Sequence, residues 1–360
     1  MTEKLNKIAS KFNIWAEIEP YGDGHINETF KAELIAPHFI LQKINNNVFK
    51  KPAEVMDNIE AVTSFLSKKI IADGGNPLRE TLTIVKTYDE KLFYETEDGE
   101  YYRMYVFIDG AKTYNVVEKP IHFYNAAKAF GKFQKLLADF PAERLHETIP
   151  DFHNTVKRFK DFETAVNENA VGRKDSVKSE IEFAYVRKNE VSTITNAMKS
   201  GEVPLRVTHN DTKYNNIMID DLSGEAVAVI DLDTVMPGSL LYDYGDSLRF
   251  GTNPVAEDEK NLDLVYCDLN LFENFSRGFI EEMKDTLTEK EIELMPFSAK
   301  LMTYECGIRF LGDYLNGDTY FKIHYTAQNL DRARTQFKLV ADMEKKEVQM
   351  RQIINKIMSE

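Results

Sequence analysis

The densest run of chemically versatile side chains is Val207-Thr208-His209-Asn210-Asp211-Thr212-Lys213-Tyr214-Asn215-Asn216, followed downstream by Val229-Ile230-Asp231-Leu232-Asp233. It reads as HxDxKxxN with a further aspartate at the end of an apolar run. These residue types at this spacing are the ones that transfer of a phosphoryl group to a hydroxyl requires. A carboxylate must orient the attacking hydroxyl and take its proton, and that role falls to Asp211. An amide oxygen and a second carboxylate must hold magnesium against the ATP phosphates, roles that fit Asn216 and Asp231. A lysine two residues beyond the base can reach the transferred group, as Lys213 does. The stretch from Asp211 to Asn216 spans a tight loop, so both side chains can face one cleft. Residues 226–230 can pair with 217–219 as a hairpin across the turn at 220–224, returning Asp231 beside Asn216.

The elements that must position these residues follow from periodicity. Apolar spacing predicts helices over 2–12 and 55–66, and strands over 30–35, 39–44, 82–85, 92–94 and 101–108. The pattern then changes to helices over 124–140, 152–166, 176–198, 264–286, 289–314 and 330–358. A strand-rich island at 206–230 interrupts them and carries the run above. The expectation is an α+β chain with a small β-rich lobe over residues 1–109 and a larger, mainly helical lobe over 110–360. The turn at Asp109-Gly110 between them suits a hinge.

Composition narrows the function classes. The chain has 360 residues, 45 basic and 59 acidic, for a net charge of −14, which argues against a general nucleic-acid binder. Apolar residues make up 43%, enough for real cores. The two cysteines, Cys267 and Cys306, lie far apart and form no zinc or disulfide pattern. No signal-peptide core and no long apolar run is present, so a cytoplasmic protein without a membrane partner is expected. Oligomeric state is left open.

The HNDTKYNN and IDLD blocks resemble the catalytic loop and metal-binding aspartate of the protein-kinase-like fold, and look most like its aminoglycoside phosphotransferase and choline kinase branch. The resemblance implies a bilobal kinase fold that uses ATP and Mg2+. It also implies a phosphate-covering loop, for which 21–29 with Gly24 is the candidate, and an ATP-binding lysine, Lys43, at the end of the strand that begins at Phe39. A helix glutamate should pair with that lysine, Glu60 having a more kinase-like separation than Glu54. Backbone groups near Phe107 to Asp109 would meet adenine. Asp243 matches an aspartate that bonds the backbone of the catalytic loop, and its plain reading is a helix N-cap.

Further blocks, YGDGHIN, IDLDTVMPGS, DYGDSLRFG and ECGIRFLGDYL, are similar to the N-acetylhexosamine 1-kinases, from about residue 20 to residue 315. That likeness implies ATP-dependent phosphorylation of the anomeric hydroxyl of N-acetylglucosamine or N-acetylgalactosamine (GlcNAc or GalNAc). His25, Phe250 and Arg309 would surround the sugar together with Asp211, chosen from a wider set that includes Arg249, Tyr304 and Tyr320. Two other readings stand beside it. One is another small-molecule kinase of the same superfamily, acting on choline, homoserine, methylthioribose, an aminoglycoside or another hexose. The other is a nucleotide-binding protein without catalysis.

Overall fold

A computed structural model describes residues 2–22, 26–34, 37–114, 117 and 119–360. In chain order it contains helix α1 (Thr2–Ala9), strands β1 (Glu17–Pro20), β2 (Glu28–Glu33) and β3 (Phe39–Ile44), and helices α2 (Pro52–Ala72) and α3 (Pro77–Glu80). Strands β4 (Ile84–Val85), β5 (Tyr94–Glu95), β6 (Tyr101–Val106) and β7 (Ala111–Lys112) follow. Next come helices α4 (Pro120–Leu136), α5 (Thr155–Glu168), α6 (Lys178–Val186) and α7 (Thr193–Ser200). Strands β8 (Arg206–Thr208), β9 (Ile217–Asp220), β10 (Ala226–Val229) and β11 (Met236–Gly238) form the island. Helices α8 (Leu240–Gly251), α9 (Leu269–Met283), α10 (Glu289–Leu315) and α11 (Gln328–Ser359) complete the chain. The N-terminal region is thus built on antiparallel sheet and the C-terminal part is mostly helical, the α+β class that the sequence predicts. Among the described residues no helix is long and apolar enough to cross a membrane.

The chain packs as two compact units. The first comprises Met1–Tyr114, Leu136–Pro150 and Asn215–Pro237. Its main sheet is antiparallel, in the order β1-β2-β3-β6-β4, with β5 also paired to β6. Strand alternation sorts the side chains of β3 and β6 into two sets. Phe39, Leu41, Tyr102 and Met104 pack with Leu5 and Ile8 of α1 and with Phe12. Gln42 and Arg103, paired across the strands, belong to the other face, where Arg103 meets Met56 of α2. A second sheet, β10-β9-β7, is held by a small core of Ile108, Ala111, Met218 and Ala228.

The second unit comprises Asn115–Lys135, Asp151–Tyr214 and Gly238–Glu360. Phe159 and Phe162 of α5, Tyr304, Ile308 and Leu311 of α10, and Phe337 and Val340 of α11 share its core. A capping box starts α10, with Thr288 accepting from the Glu291 N–H while Glu291 accepts from the Thr288 N–H. The helix predicted over 176–198 is instead two helices, α6 and α7, separated by a 3-10 turn at Lys188–Glu190. Asn189, Val191, Ser192 and Thr193 are poor helix interior residues, and they cluster at the break. The amphipathic spacing runs through it unchanged.

Helices α8 and α10 approach closely at Gly245, where a Cβ would lie 2.5 Å from the Ser298 carbonyl oxygen. Only a hydrogen fits there. At Gly312, also in α10, a Cβ would meet the Phe162 Cα at 3.9 Å, an ordinary contact. Two substitutions of the same kind therefore have opposite expected signs. Gly245→Ala should lower stability by about 1–3 kcal/mol through overpacking. Gly312→Ala should raise it by up to about 1 kcal/mol through helix propensity. Urea denaturation of both variants checks the contrast.

An ion-pair chain ties α1 to the edge of β6: Lys4 lies 2.5 Å and Lys43 3.1 Å from the Glu100 carboxylate. The Lys4 bond, opposed by partial desolvation and reinforced by Lys43 and Tyr102, holds Glu100 down at about 2. A folded value below the unfolded one contributes stability above the unfolded pKa, and that stability is lost as pH falls toward the folded value. The melting temperature of the wild-type protein should fall more steeply than that of Glu100→Gln between about pH 5 and about pH 2, the two converging at the acid end.

Candidate active site

The loop that carries Asp211 begins with a backbone reversal. Asn210 has φ 66° immediately after β8 and His209, so the backbone turns out of the strand direction at these two residues. Both donate to one carboxylate on α8: His209 N to Asp243 Oδ2 at 2.8 Å, and Asn210 N to Asp243 Oδ1 at 2.7 Å. Gln134 of α4 donates to the same carboxylate at 2.6 Å. Thr212 Oγ1 donates to the Asp243 carbonyl at 2.7 Å, and Ser247 Oγ to the Thr212 carbonyl at 3.0 Å. Burial pushes the Asp243 carboxyl up, against the pull of His209 and of these donors. The N-cap of α8 is Ser239, whose hydroxyl accepts from Leu241 N at 3.2 Å. Asp243 therefore serves the loop and not the helix end, which corrects its N-cap reading.

A second layer holds the loop from behind. His153 bridges the Asn210 carbonyl, 3.1 Å from Nε2, and Glu305 of α10, 2.9 Å from Nδ1. Thr155 donates to the other Glu305 oxygen at 2.6 Å. His209 is buried edge-on against Phe130 and Phe133 of α4, and its Nδ1 accepts from the Asp211 N–H at 3.3 Å. These contacts leave the Asp211 side chain partly exposed, with Lys213 Nζ 2.8 Å from Oδ1. Burial works against the Lys213 charge, but Asp211 more than compensates, and the ammonium is held above its ordinary value.

Hairpin β9–β10 forms as the sequence predicts. Val229 pairs with Ile217, and Ile230 N donates to the Asn216 carbonyl at 2.9 Å. Asn216 and Asp231 thus stand at the same open end of one hairpin. Asp231 takes a left-handed backbone, φ 59° and ψ 57°, and a 3-10 turn, Leu232–Thr234, follows it. An amide oxygen and a carboxylate are hard donors that suit magnesium, which takes its remaining ligands from water and phosphate. No cluster of three or more His, Cys, Asp or Glu side chains suited to a metal occurs among the described residues.

The expected Lys43–Glu60 pair does not form. Lys43 stands opposite Tyr102, on the α1 face of the sheet, and its ammonium pairs with Glu28 and Glu100. Glu60 of α2 accepts from Ser64 at 2.8 Å, and Glu54 pairs with Lys51. The reason is strand parity: one residue along β3 changes the face. Gln42 and Arg103 hold the α2 side instead, with Gln42 Oε1 accepting from Arg103 Nε at 3.0 Å and Nη2 at 2.9 Å. Arg103 is fully buried and ion-paired to Asp233. Neither residue was selected from the sequence, although an arginine inside the apolar strand YYRMYV is a legible signal. Of the hinge groups, the Phe107 N–H already donates to the His38 carbonyl at 2.9 Å, and the Asp109 carbonyl accepts from Arg79 at 2.6 Å. The Asp109 carboxylate lies 2.9 Å from His38 Nδ1. Gly24 and His25 lie outside the described residues.

The remaining candidates separate in the second unit. Tyr304 is buried and donates to the Ala184 carbonyl at 2.8 Å, so it is a core residue. Arg249 is buried and bound to Asp246 at 2.9 Å and Glu257 at 2.7 Å. Phe250 is partly exposed near the end of α8. Arg309 has its guanidinium 5.8 Å from the Phe152 ring and 5.5 Å from the Phe321 ring. Arg158, also near Phe152, donates to the Phe152 carbonyl at 3.0 and 2.8 Å. Among the described residues neither Arg158 nor Arg309 forms an ion pair within 4.0 Å. Burial, and next the Arg309 charge, lower the Arg158 guanidinium from its ordinary value. Asp313 shapes the adjoining turn by accepting from the N–H groups of Thr319, Tyr320 and Phe321 at 2.8–2.9 Å, which leaves Tyr320 exposed beside Phe321. Arg158, Phe152 and Phe321 carry no motif, and only the folded chain gathers them around Arg309.

Comparison with known proteins bears on this arrangement. A microcompartment-associated aminopropanol kinase matches at TM-score 0.62 and 13% identity, with 97% of this chain and 98% of that chain covered. An aminoglycoside phosphotransferase from Alicyclobacillus acidocaldarius subsp. acidocaldarius matches at TM-score 0.61 and 13% identity, covering 97% and 96%. A choline kinase from Cryptosporidium parvum Iowa II matches at TM-score 0.58 and 15% identity, covering 100% of both chains. At these identities the likeness establishes the fold. The sequence profile of the Phosphotransferase enzyme family (APH) matches residues 17–273, more than half of the chain, and the protein belongs to that family.

Proposed function

We propose that this phosphotransferase is an ATP- and Mg2+-dependent kinase that phosphorylates the C1 hydroxyl of N-acetylhexosamines. The observation that carries the acceptor assignment is the pair Arg158 and Arg309, two guanidinium groups set among Phe152 and Phe321 with no carboxylate bound to either among the described residues. A site for a cationic acceptor needs carboxylates or an open aromatic cage. Here the aromatic faces already carry cations. Donor-rich guanidinium groups beside aromatic rings suit a neutral, oxygen-rich acceptor such as a sugar with an acetamido carbonyl. The likeness of the YGDGHIN, IDLDTVMPGS and DYGDSLRFG blocks to N-acetylhexosamine 1-kinases supports the same reading.

In this reading residues 1–109 serve the nucleotide and 110–360 the acceptor and the chemistry. Asp211 accepts a hydrogen bond from the C1 hydroxyl and takes its proton as the bond to phosphorus forms. Lys213, held cationic beside Asp211, keeps that carboxylate oriented and offsets charge on the transferred group. Asn216 and Asp231 would hold magnesium. Bound there, the ion neutralises charge developing on the phosphate oxygens. Asp243 fixes the loop, so that Asp211 need not be ordered during the reaction. Phe250, Arg309 and His25 are the proposed sugar contacts. Another small-molecule kinase activity of the same family is the second reading.

An ADP-release assay with GlcNAc, GalNAc, galactose, choline and an aminoglycoside tests the acceptor. Turnover on the two N-acetylhexosamines and none on the cations is expected; turnover confined to choline or the aminoglycoside would overturn the sugar assignment. Asp211→Asn should lower kcat by about 10²–10⁴-fold, as loss of a general base does. Near wild-type kcat in that variant would remove Asp211 as the base. Arg309→Met should raise the KM for the acceptor and leave the KM for ATP unchanged, and equal effects on both would take Arg309 out of the acceptor site.

A further inference from the structure

The buried Arg103 and Asp233 form, with the half-buried Asn27, a linked chain that no motif assigns to chemistry. Arg103 sits in the middle of β6 and ion-pairs through Nη1 with Asp233. Its other guanidinium nitrogens are taken by Gln42 Oε1. Its face lies 5.2 Å from the Tyr105 ring. The second Asp233 oxygen accepts from Asn27 Nδ2 at 2.6 Å. Asn27 is itself fixed by the Asn45 N–H, which donates to its Oδ1 at 2.9 Å. All these residues belong to one compact unit, and Asp233 lies two residues after Asp231.

Asp231 needs such an anchor. Its φ of 59° is the left-handed region, which a residue with a Cβ occupies only when its surroundings over-determine it. The 3-10 turn Leu232–Thr234 follows directly, and Asp233 is the polar side chain within that turn that is tied to the sheet. Stability alone does not account for the pair, because a buried ion pair is commonly neutral or worse than apolar side chains of equal volume. Fixed geometry does account for it. Arg103 comes from the sheet, Asn27 from the segment before β2, and both converge on Asp233.

We propose that the Arg103–Asp233 pair, with Asn27, positions the metal-binding aspartate: it locks the turn after Asp231, holds that residue in its left-handed conformation, and so fixes the carboxylate that meets the cation. The inference rests on the reading of Asp231 as a metal ligand. Arg103 is a positioning residue in this account and touches neither nucleotide nor acceptor.

The test uses the full chain and counts Mn2+ bound in the presence of a non-hydrolysable ATP analogue, by electron paramagnetic resonance, so that no acceptor is needed. The double variant Arg103→Met/Asp233→Asn removes both buried charges together and should fold, at a lower melting temperature than wild type because Gln42 Oε1 loses both its donors. Its Mn2+ affinity should fall by about 10–100-fold, the usual effect of losing a partner that orients a ligand. Wild-type Mn2+ affinity in the folded double variant would make the pair merely structural and overturn the proposal. Should that variant not fold, Asn27→Ala removes one bond to Asp233 and leaves the ion pair. It should weaken Mn2+ binding severalfold at an unchanged melting temperature, and unchanged binding overturns the proposal equally. Asp231→Asn separates the two levels. Loss of Mn2+ binding there supports the ligand assignment, and retained binding overturns that assignment and the positioning role with it.

Discussion

One carboxylate carries the geometry of the Asp211 loop. Two adjacent N–H groups, at the point where Asn210 turns left-handed, would each cost about 1–3 kcal/mol if buried without a partner. Asp243 takes both, and Gln134 and the Thr212 hydroxyl bind the same residue. That places a demand on α8, which must come close enough for a short aspartate to reach the loop. The close approach of α8 to α10 at Gly245 meets the demand from the other side. The chain from loop to α8 to α10 is therefore continuous, and Glu305 of α10 returns to the loop through His153.

Charge is distributed in the two units by a consistent rule with an informative exception. The two fully buried arginines are paired, Arg103 with Asp233 and Arg249 with Asp246 and Glu257, and the partly buried Arg206 is paired with Glu291. Such pairing is what burial of a cation requires. Arg158 and Arg309, both partly buried, differ from these in that aromatic rings and a carbonyl stand where the others meet carboxylates. In a chain with a net charge of −14, two guanidinium groups with no carboxylate within 4.0 Å among the described residues support the proposed reading of a neutral acceptor.

The sequence was most legible where chemistry and short-range geometry coincide. Asn216, which ends HNDTKYNN, and IDLD flank a hairpin whose pairing follows from two apolar runs and a turn, and Ile230 bonds Asn216 as that reasoning requires. The α+β class followed from the shift in periodicity after residue 110, and the family from the same blocks. Parity was not legible. Whether β3 turns Lys43 or Gln42 toward α2 depends on registers with β2 and β6 that apolar content alone does not set. The Lys43–Glu60 pair was accordingly misplaced, while Arg103 escaped notice. The break between α6 and α7 was hidden because amphipathic spacing continues across residues with low helix propensity. The surroundings of Arg309 were out of reach for another reason: Arg158, Phe152 and Phe321 are brought to it by helix packing over long sequence separations.

The central claim is the position of the transferred phosphoryl group. It is tested most directly by proton-coupled phosphorus NMR of the product formed from ATP, magnesium and an N-acetylhexosamine. The account predicts a monoester resonance coupled to the single anomeric proton at C1. A resonance coupled to the two C6 methylene protons, or ATP hydrolysis with no sugar phosphate formed, would contradict it.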